Sequence, residues 1–192
     1  MSRKRSIADE VLLDGALAVM LRAGPDAITF QAVAAETGLA AATLVQRFGA
    51  KPELKRAALL RAWDLLDAAT AEADARAAPT PAGAIALLVA LSAGYGAGEA
   101  YAEGLLLLRE DFRDPVLRRR GAAWEQRLAK GLGRRLGAPG TPRDGLGRLM
   151  AAQWQGAVLS WGFHRRGRLK SAVRAALTEW CRAVGKAPAP RR

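Results

Sequence analysis

Thr43, Gln46 and Arg47 place a hydroxyl, an amide and a guanidinium within five residues, at the spacing of one helical turn. Such groups hydrogen-bond to base edges and phosphates, and the adjacent Ala41 and Ala42 can meet thymine methyl groups. Acid–base and metal chemistry have no comparable grouping. The one histidine, His164, stands among Arg165, Arg166 and Arg168 and reads as a solvated helix end. No metal-ligand spacing occurs, and the acidic run Glu110, Asp111 and Asp114 reads as surface charge beside a helix boundary. Neither a catalytic site, a metal nor a cofactor is expected.

These three side chains need a scaffold, and residues 28–54, ITFQAVAAETGLAAATLVQRFGAKPEL, supply its signals. Thr29 is suited to cap a helix start. Phe30, Val33 and Ala34 then recur at helical spacing, and Gly38 tolerates the left-handed turn that ends the helix. Leu39, Leu44, Val45 and Phe48 are expected to pack a second helix onto the first. Ala41, Ala42, Thr43, Gln46 and Arg47 then face outward. A helix-turn-helix puts that outward face in the DNA major groove.

With the preceding segment LLDGALAVMLRAG, residues 12–24, this stretch resembles the N-terminal domain of the TetR family of transcriptional regulators. The resemblance covers about the first quarter of the chain. It rests on the ordered set Gly24, Thr29, Val33-Ala34, Gly38, Thr43-Leu44, Phe48, Lys51 and Leu54. Ala40 stands where the family usually has a capping Ser, which costs about 1 kcal/mol. Val45 replaces the family's usual Tyr, and Ala41 and Ala42 replace polar residues or Gly. Within the recognition helix only Thr43, Gln46 and Arg47 are left to hydrogen-bond. Thr29, Gln31 and Lys51 join them as expected DNA contacts, Thr29 and Lys51 beside free helix-start amides that favour phosphate.

The resemblance implies an all-α fold. Residues 1–50 would be a three-helix DNA-binding domain and 51–186 a helical domain for effector binding and dimerisation, with a disordered tail at 187–192. The implied function is a ligand-responsive repressor acting as a homodimer on a palindromic operator. Two other readings stay open: a helical small-molecule binding protein with a weakened reader, and a non-specific DNA-associated protein using a basic surface.

The net charge of +12 does not locate the reader. Residues 1–60 carry eight basic and six acidic side chains, 61–111 three and eight, and 112–192 nineteen and four. Ala and Leu predominate, so helices are expected throughout. A single cysteine, Cys181, excludes an internal disulfide. Without a leader or an apolar run of spanning length, the protein is expected in the cytoplasm with no membrane partner.

Beyond the reader, the expected helices run over about 52–77, 81–101, 115–136, 144–164 and 169–184. Gly94, Gly96 and Gly98 should bend or break the second of these, and a short helix is expected at 105–108. Arg118 to Arg135 give the third a basic face. The short tail with Arg3, Lys4 and Arg5 is read either as solvated or as an arm touching DNA. In TetR-like proteins the middle helices line the effector pocket, which puts Trp63, Tyr95, Tyr101 and Trp124 there. Trp154, Val158 and Trp161, with Val173, Leu177 and Trp180, form stripes on the last two helices and are expected at the dimer interface, or else in the subunit's own core.

Overall fold

The structure, a computed structural model, describes residues 9–95, 98–138 and 140–186. The tail with Arg3, Lys4 and Arg5, the segment 187–192 and the side chain of Tyr95 lie outside the described residues. Among these residues the fold is all-α, with nine α-helices. They divide into two compact units of interleaved segments: residues up to Leu65 with Glu99–Arg120, and Leu66–Gly98 with the residues from Gly121 onward.

The first unit opens with α1 (Asp9–Ala23), which carries Asp9 and Glu10 in its first turn and so complements the helix dipole. A 3-10 turn at Pro25–Ala27 leads to α2 (Phe30–Thr37) and α3 (Ala41–Phe48). The Thr29 hydroxyl accepts from the Ala32 amide at 3.0 Å and starts α2. Gly38, at φ 72, ends α2 and returns its amide to the Ala34 carbonyl at 2.9 Å; a side chain would be strained in that conformation. One core holds these helices together. Leu12, Ala16 and Met20 of α1, Ile28, Val33, Leu44, and Leu54 and Ala58 of α4 (Lys51–Arg76) are fully buried in it. Their spacing is the 3–4 period of helices that each bury one stripe.

Nearly all of one further helix and the start of another, up to Arg120, complete this unit. The residues at 105–108 are part of a longer helix, α6 (Gly98–Arg113). Asp114 accepts from the Val116 amide at 2.7 Å and begins α7 (Pro115–Leu136). Pro115 occupies the first helical position, where its missing amide costs least.

In the second unit α5 (Pro81–Leu91) is buried on nearly every side. It is shorter than expected: a 3-10 turn at Ser92–Tyr95 ends it before the glycines. The helices α8 (Asp144–His164) and α9 (Leu169–Ala183) pack on each other, and α9 packs on α5. The α7 and α8 backbones approach so closely that a Cβ on Gly147 would lie 2.0 Å from the Ala129 carbonyl oxygen. Trp154 donates from its indole to the Ser92 hydroxyl at 2.9 Å and packs 6.4 Å from Trp124, centroid to centroid.

Trp154, Val158, Val173 and Leu177 are therefore not available to a partner, which corrects their placement at a dimer interface. All four are almost completely buried in their own unit. Trp161 and Trp180 are half-buried. The opposite face of α8 is the open one. Leu149, Ala152, Gly156, Leu159 and Phe163 are exposed at alternating spacings of three and four, Phe163 at 82%.

Candidate nucleic-acid interface and effector cleft

The exposed face of α3 is built by what it buries behind it. Leu44 is fully buried and Phe48 half-buried against the first unit's core, which turns Ala42, Val45 and Gln46 to solvent. Val45, expected to pack inward, is 45% exposed. The physical reason is rotation: residue 45 lies one turn from 41 and 42, on the outward face, at 100° per residue. Reading that angle from Leu44 would have found it. With Ala42 it gives the reader an apolar patch beside its polar groups.

Arg47 is directed by a contact that no local spacing reveals. Its Nη1 lies 2.9 Å from the Oδ1 of Asp9 on α1. Thr43 and Ala41 are half-buried, whereas Gln46 and Gln31 are exposed. Ala40 precedes α3 without a side-chain cap. Thr29 is exposed, and its oxygen serves the cap while its hydroxyl proton can point outward. Lys51, at the first position of α4, donates its ammonium to the Asp26 carbonyl at 3.0 Å. Thr29, Gln31, Ala41, Ala42, Thr43, Gln46, Arg47 and Lys51 all lie in the first unit.

Ion pairs fasten α4 within that unit. Lys55 meets Glu110 at 2.6 Å and Arg56 meets Asp114 at 2.6 Å. The Arg56 guanidinium holds the Asp114 carboxyl below its ordinary range. Between them Asp111 accepts from the Trp63 indole at 3.1 Å. Burial pushes the Asp111 pKa up to about 6, against the lowering effect of Trp63, while Asp114 and Glu110 push the same way as burial.

Of the four aromatic residues expected at one pocket, Trp63, Tyr101 and Trp124 are each engaged within their own unit. Trp63 is engaged with Asp111, and Tyr101 is buried in the same unit. Trp124, in the other unit, is buried and donates to the Thr70 hydroxyl at 2.9 Å. Large apolar rings with a donor were used for core packing and partnered there. The second unit instead has an open cleft of about 410 Å³ bounded by Thr70, Ala71 and Asp74 of α4, Leu87 of α5, and Leu128 and Lys130 of α7. Arg127–Asp67 at 2.6 Å and Arg134–Asp74 at 3.0 Å stand at it. The basic face of α7 is thus partly neutralised by α4 acids.

Residues 12–58 match the family model of bacterial regulatory proteins of the tetR family. They are a TetR-family DNA-binding domain. The helix-turn-helix of this domain is α2–α3, and such a domain supports a DNA-binding transcriptional regulator. Solved structures share this fold well beyond that domain. A TetR-like transcriptional regulator from Rhodococcus sp. RHA1 is similar at 18% identity and a TM-score of 0.67, covering 96% of this chain and 100% of that one. The multidrug binding protein EbrR, complexed with malachite green, is similar at 22% identity and 0.67, over 92% and 98%. PfmR from Thermus thermophilus, a TetR-family transcriptional regulator, is similar at 22% and 0.60, over 86% and 94%. No curated protein matches the chain. No described helix of the protein is long and apolar enough to cross a membrane.

Proposed function

We propose that the protein is a cytoplasmic, ligand-responsive repressor that binds a palindromic operator as a homodimer. The observation that carries the reading is the exposed α3 face, where Gln46 and Arg47 stand beside Ala42 and Val45 over a buried Leu44. Gln46 and Arg47 reach base edges, and Ala41, Ala42 and Val45 meet thymine methyls. Thr43 serves either bases or phosphate, and Thr29, Gln31 and Lys51 contact the backbone.

One reader this small binds weakly, and two related by a two-fold axis read half-sites about one helical turn apart. The outward stripe Leu149, Ala152, Gly156, Leu159 and Phe163 supports α8 as the pairing helix, since an exposed apolar stripe of this spacing is what a helix–helix contact buries. Trp161 and Trp180 are half-buried and leave part of each ring open to such a contact. The effector site we assign to the Thr70–Leu87–Lys130 cleft, and EbrR, complexed with malachite green, lends the fold a precedent for a small-molecule ligand. An effector that binds the DNA-incompetent arrangement more tightly releases the dimer by population shift.

A gel-shift on the DNA upstream of the protein's own gene tests the reading. A complex that survives excess non-specific competitor and is lost in Arg47→Ala supports it. A complex that disappears at once into competitor overturns it.

A further inference from the structure

The excess positive charge of the chain is not spread evenly over the second unit. On α7, Arg127, Arg134 and Arg135 are paired with Asp67 and Asp74. Residues 140–186 hold nine basic and two acidic side chains, with no acid between Asp144 and Glu179. Arg165, Arg166, Arg168 and Lys170 at the α8–α9 junction are all exposed. Among the described residues, no ion pair joins Arg166, Arg168, Lys170 or Arg174 to a carboxylate.

The junction has a fixed shape. The Arg165 amide donates to the Trp161 carbonyl at 2.7 Å, and the Trp161 indole donates to the Gly167 carbonyl at 3.2 Å. Arg165 itself adopts φ 47, a left-handed conformation at a helix end where glycine is the usual residue. The turn thus carries a guanidinium at a conformational cost that glycine would avoid.

We propose that this α8–α9 loop is a second DNA-binding surface that grips the phosphate backbone of a duplex without reading its sequence. Guanidinium groups suit phosphate because their planar donors pair with two oxygens at once. An anionic lipid surface fits less well. No apolar side chain lies between Phe163 and Leu169, Leu169 is buried, and the exposed Phe163 belongs to the α8 stripe, so residues 164–168 themselves carry nothing to insert among acyl chains.

The test uses the full chain with Gln46→Ala and Arg47→Ala, which silence the reader, and a short non-palindromic duplex followed by fluorescence anisotropy over a salt series. Adding Arg166→Gln, Arg168→Gln and Lys170→Gln should weaken binding at low salt about tenfold or more and flatten the slope of log K against log salt by about 0.9 for each cation removed. Arg165→Gly, which suits the left-handed backbone, should flatten the slope by about 0.9 at unchanged helicity, separating charge from misfolding. Affinity and slope unchanged in these variants would overturn the proposal. So would a parent chain that binds vesicles of anionic phospholipid but no duplex.

Discussion

Arg47 of the reader helix is held by Asp9 of α1, Nη1 to Oδ1 at 2.9 Å, across 38 residues of sequence. The carboxylate is largely exposed, so the pair is worth at most about 1 kcal/mol and a phosphate or guanine can displace it. Arg47→Ala should weaken operator binding about tenfold or more, for the loss of about 1–3 kcal/mol. Asp9→Ala should bind as well as the parent or a few-fold tighter, because it removes one competing acceptor and a nearby negative charge. Titration of both variants by fluorescence anisotropy checks this, and a loss in Asp9→Ala as large as in Arg47→Ala would show that the pair positions Arg47 rather than competing for it.

Asp111 predicts a pH dependence of stability. Its folded pKa of about 6 lies above the ordinary 3.8. Between those values the native state therefore binds more protons than the unfolded one, and stability falls as pH rises through the window. Above it the full penalty of a buried charge is present. Asp111→Asn keeps an oxygen for the Trp63 indole and should raise stability at neutral pH by about 1–2 kcal/mol, a figure discounted for partial solvent exposure. Below the unfolded pKa the gain should vanish. Chemical denaturation of both proteins across this range measures it.

Arg135 caps α4. Its guanidinium is buried and donates to the carbonyls of Asp74 at 2.6 Å, Ala77 at 3.0 Å, Ala78 at 3.1 Å and Gly131 at 2.9 Å, and it also meets the Asp74 carboxylate. Carbonyls at the end of a helix lack the amides of a following turn, and the guanidinium supplies donors in their place. Arg135→Met should cost about 3 kcal/mol, from orphaned acceptors as much as from the lost pair. Arg135→Lys should recover only part of it, because an ammonium cannot reach so many acceptors from one plane. Thermal melts followed by circular dichroism give the order.

The two faces of the last helices separate by experiment. Leu177→Ala removes a fully buried side chain and should destabilise by about 2–5 kcal/mol with the oligomeric state unchanged. Leu159→Glu alters the open stripe and should convert a dimer into a folded monomer in sedimentation. A dimer that persists in Leu159→Glu and in Phe163→Glu would remove α8 from the pairing surface.

What could be read in advance followed distance along the chain. Thr29, Gly38 and the Pro115 start act within one turn of themselves, so their residue types were enough. The faces of α8 and α9 were harder, because Trp154 and the stripe from Leu149 to Phe163 are both periodic, and periodicity does not say which stripe meets the rest of its own unit. Trp63, Tyr101 and Trp124 were drawn toward a pocket by their chemistry, but each found burial or a hydrogen bond in its own unit instead. Asp9 with Arg47, and Arg127 with Asp67, depend on folding of segments 38 and 60 residues apart. Nothing local encodes such a meeting.

The contact at Gly147 limits where the second unit can give. Where two backbones cross with no side chain between them there is little slack, so the crossing acts as a fulcrum rather than a sliding plane. Any widening around Thr70 and Leu87 must then be taken up by α4 and α5, with α7 and α8 serving as the fixed jaw.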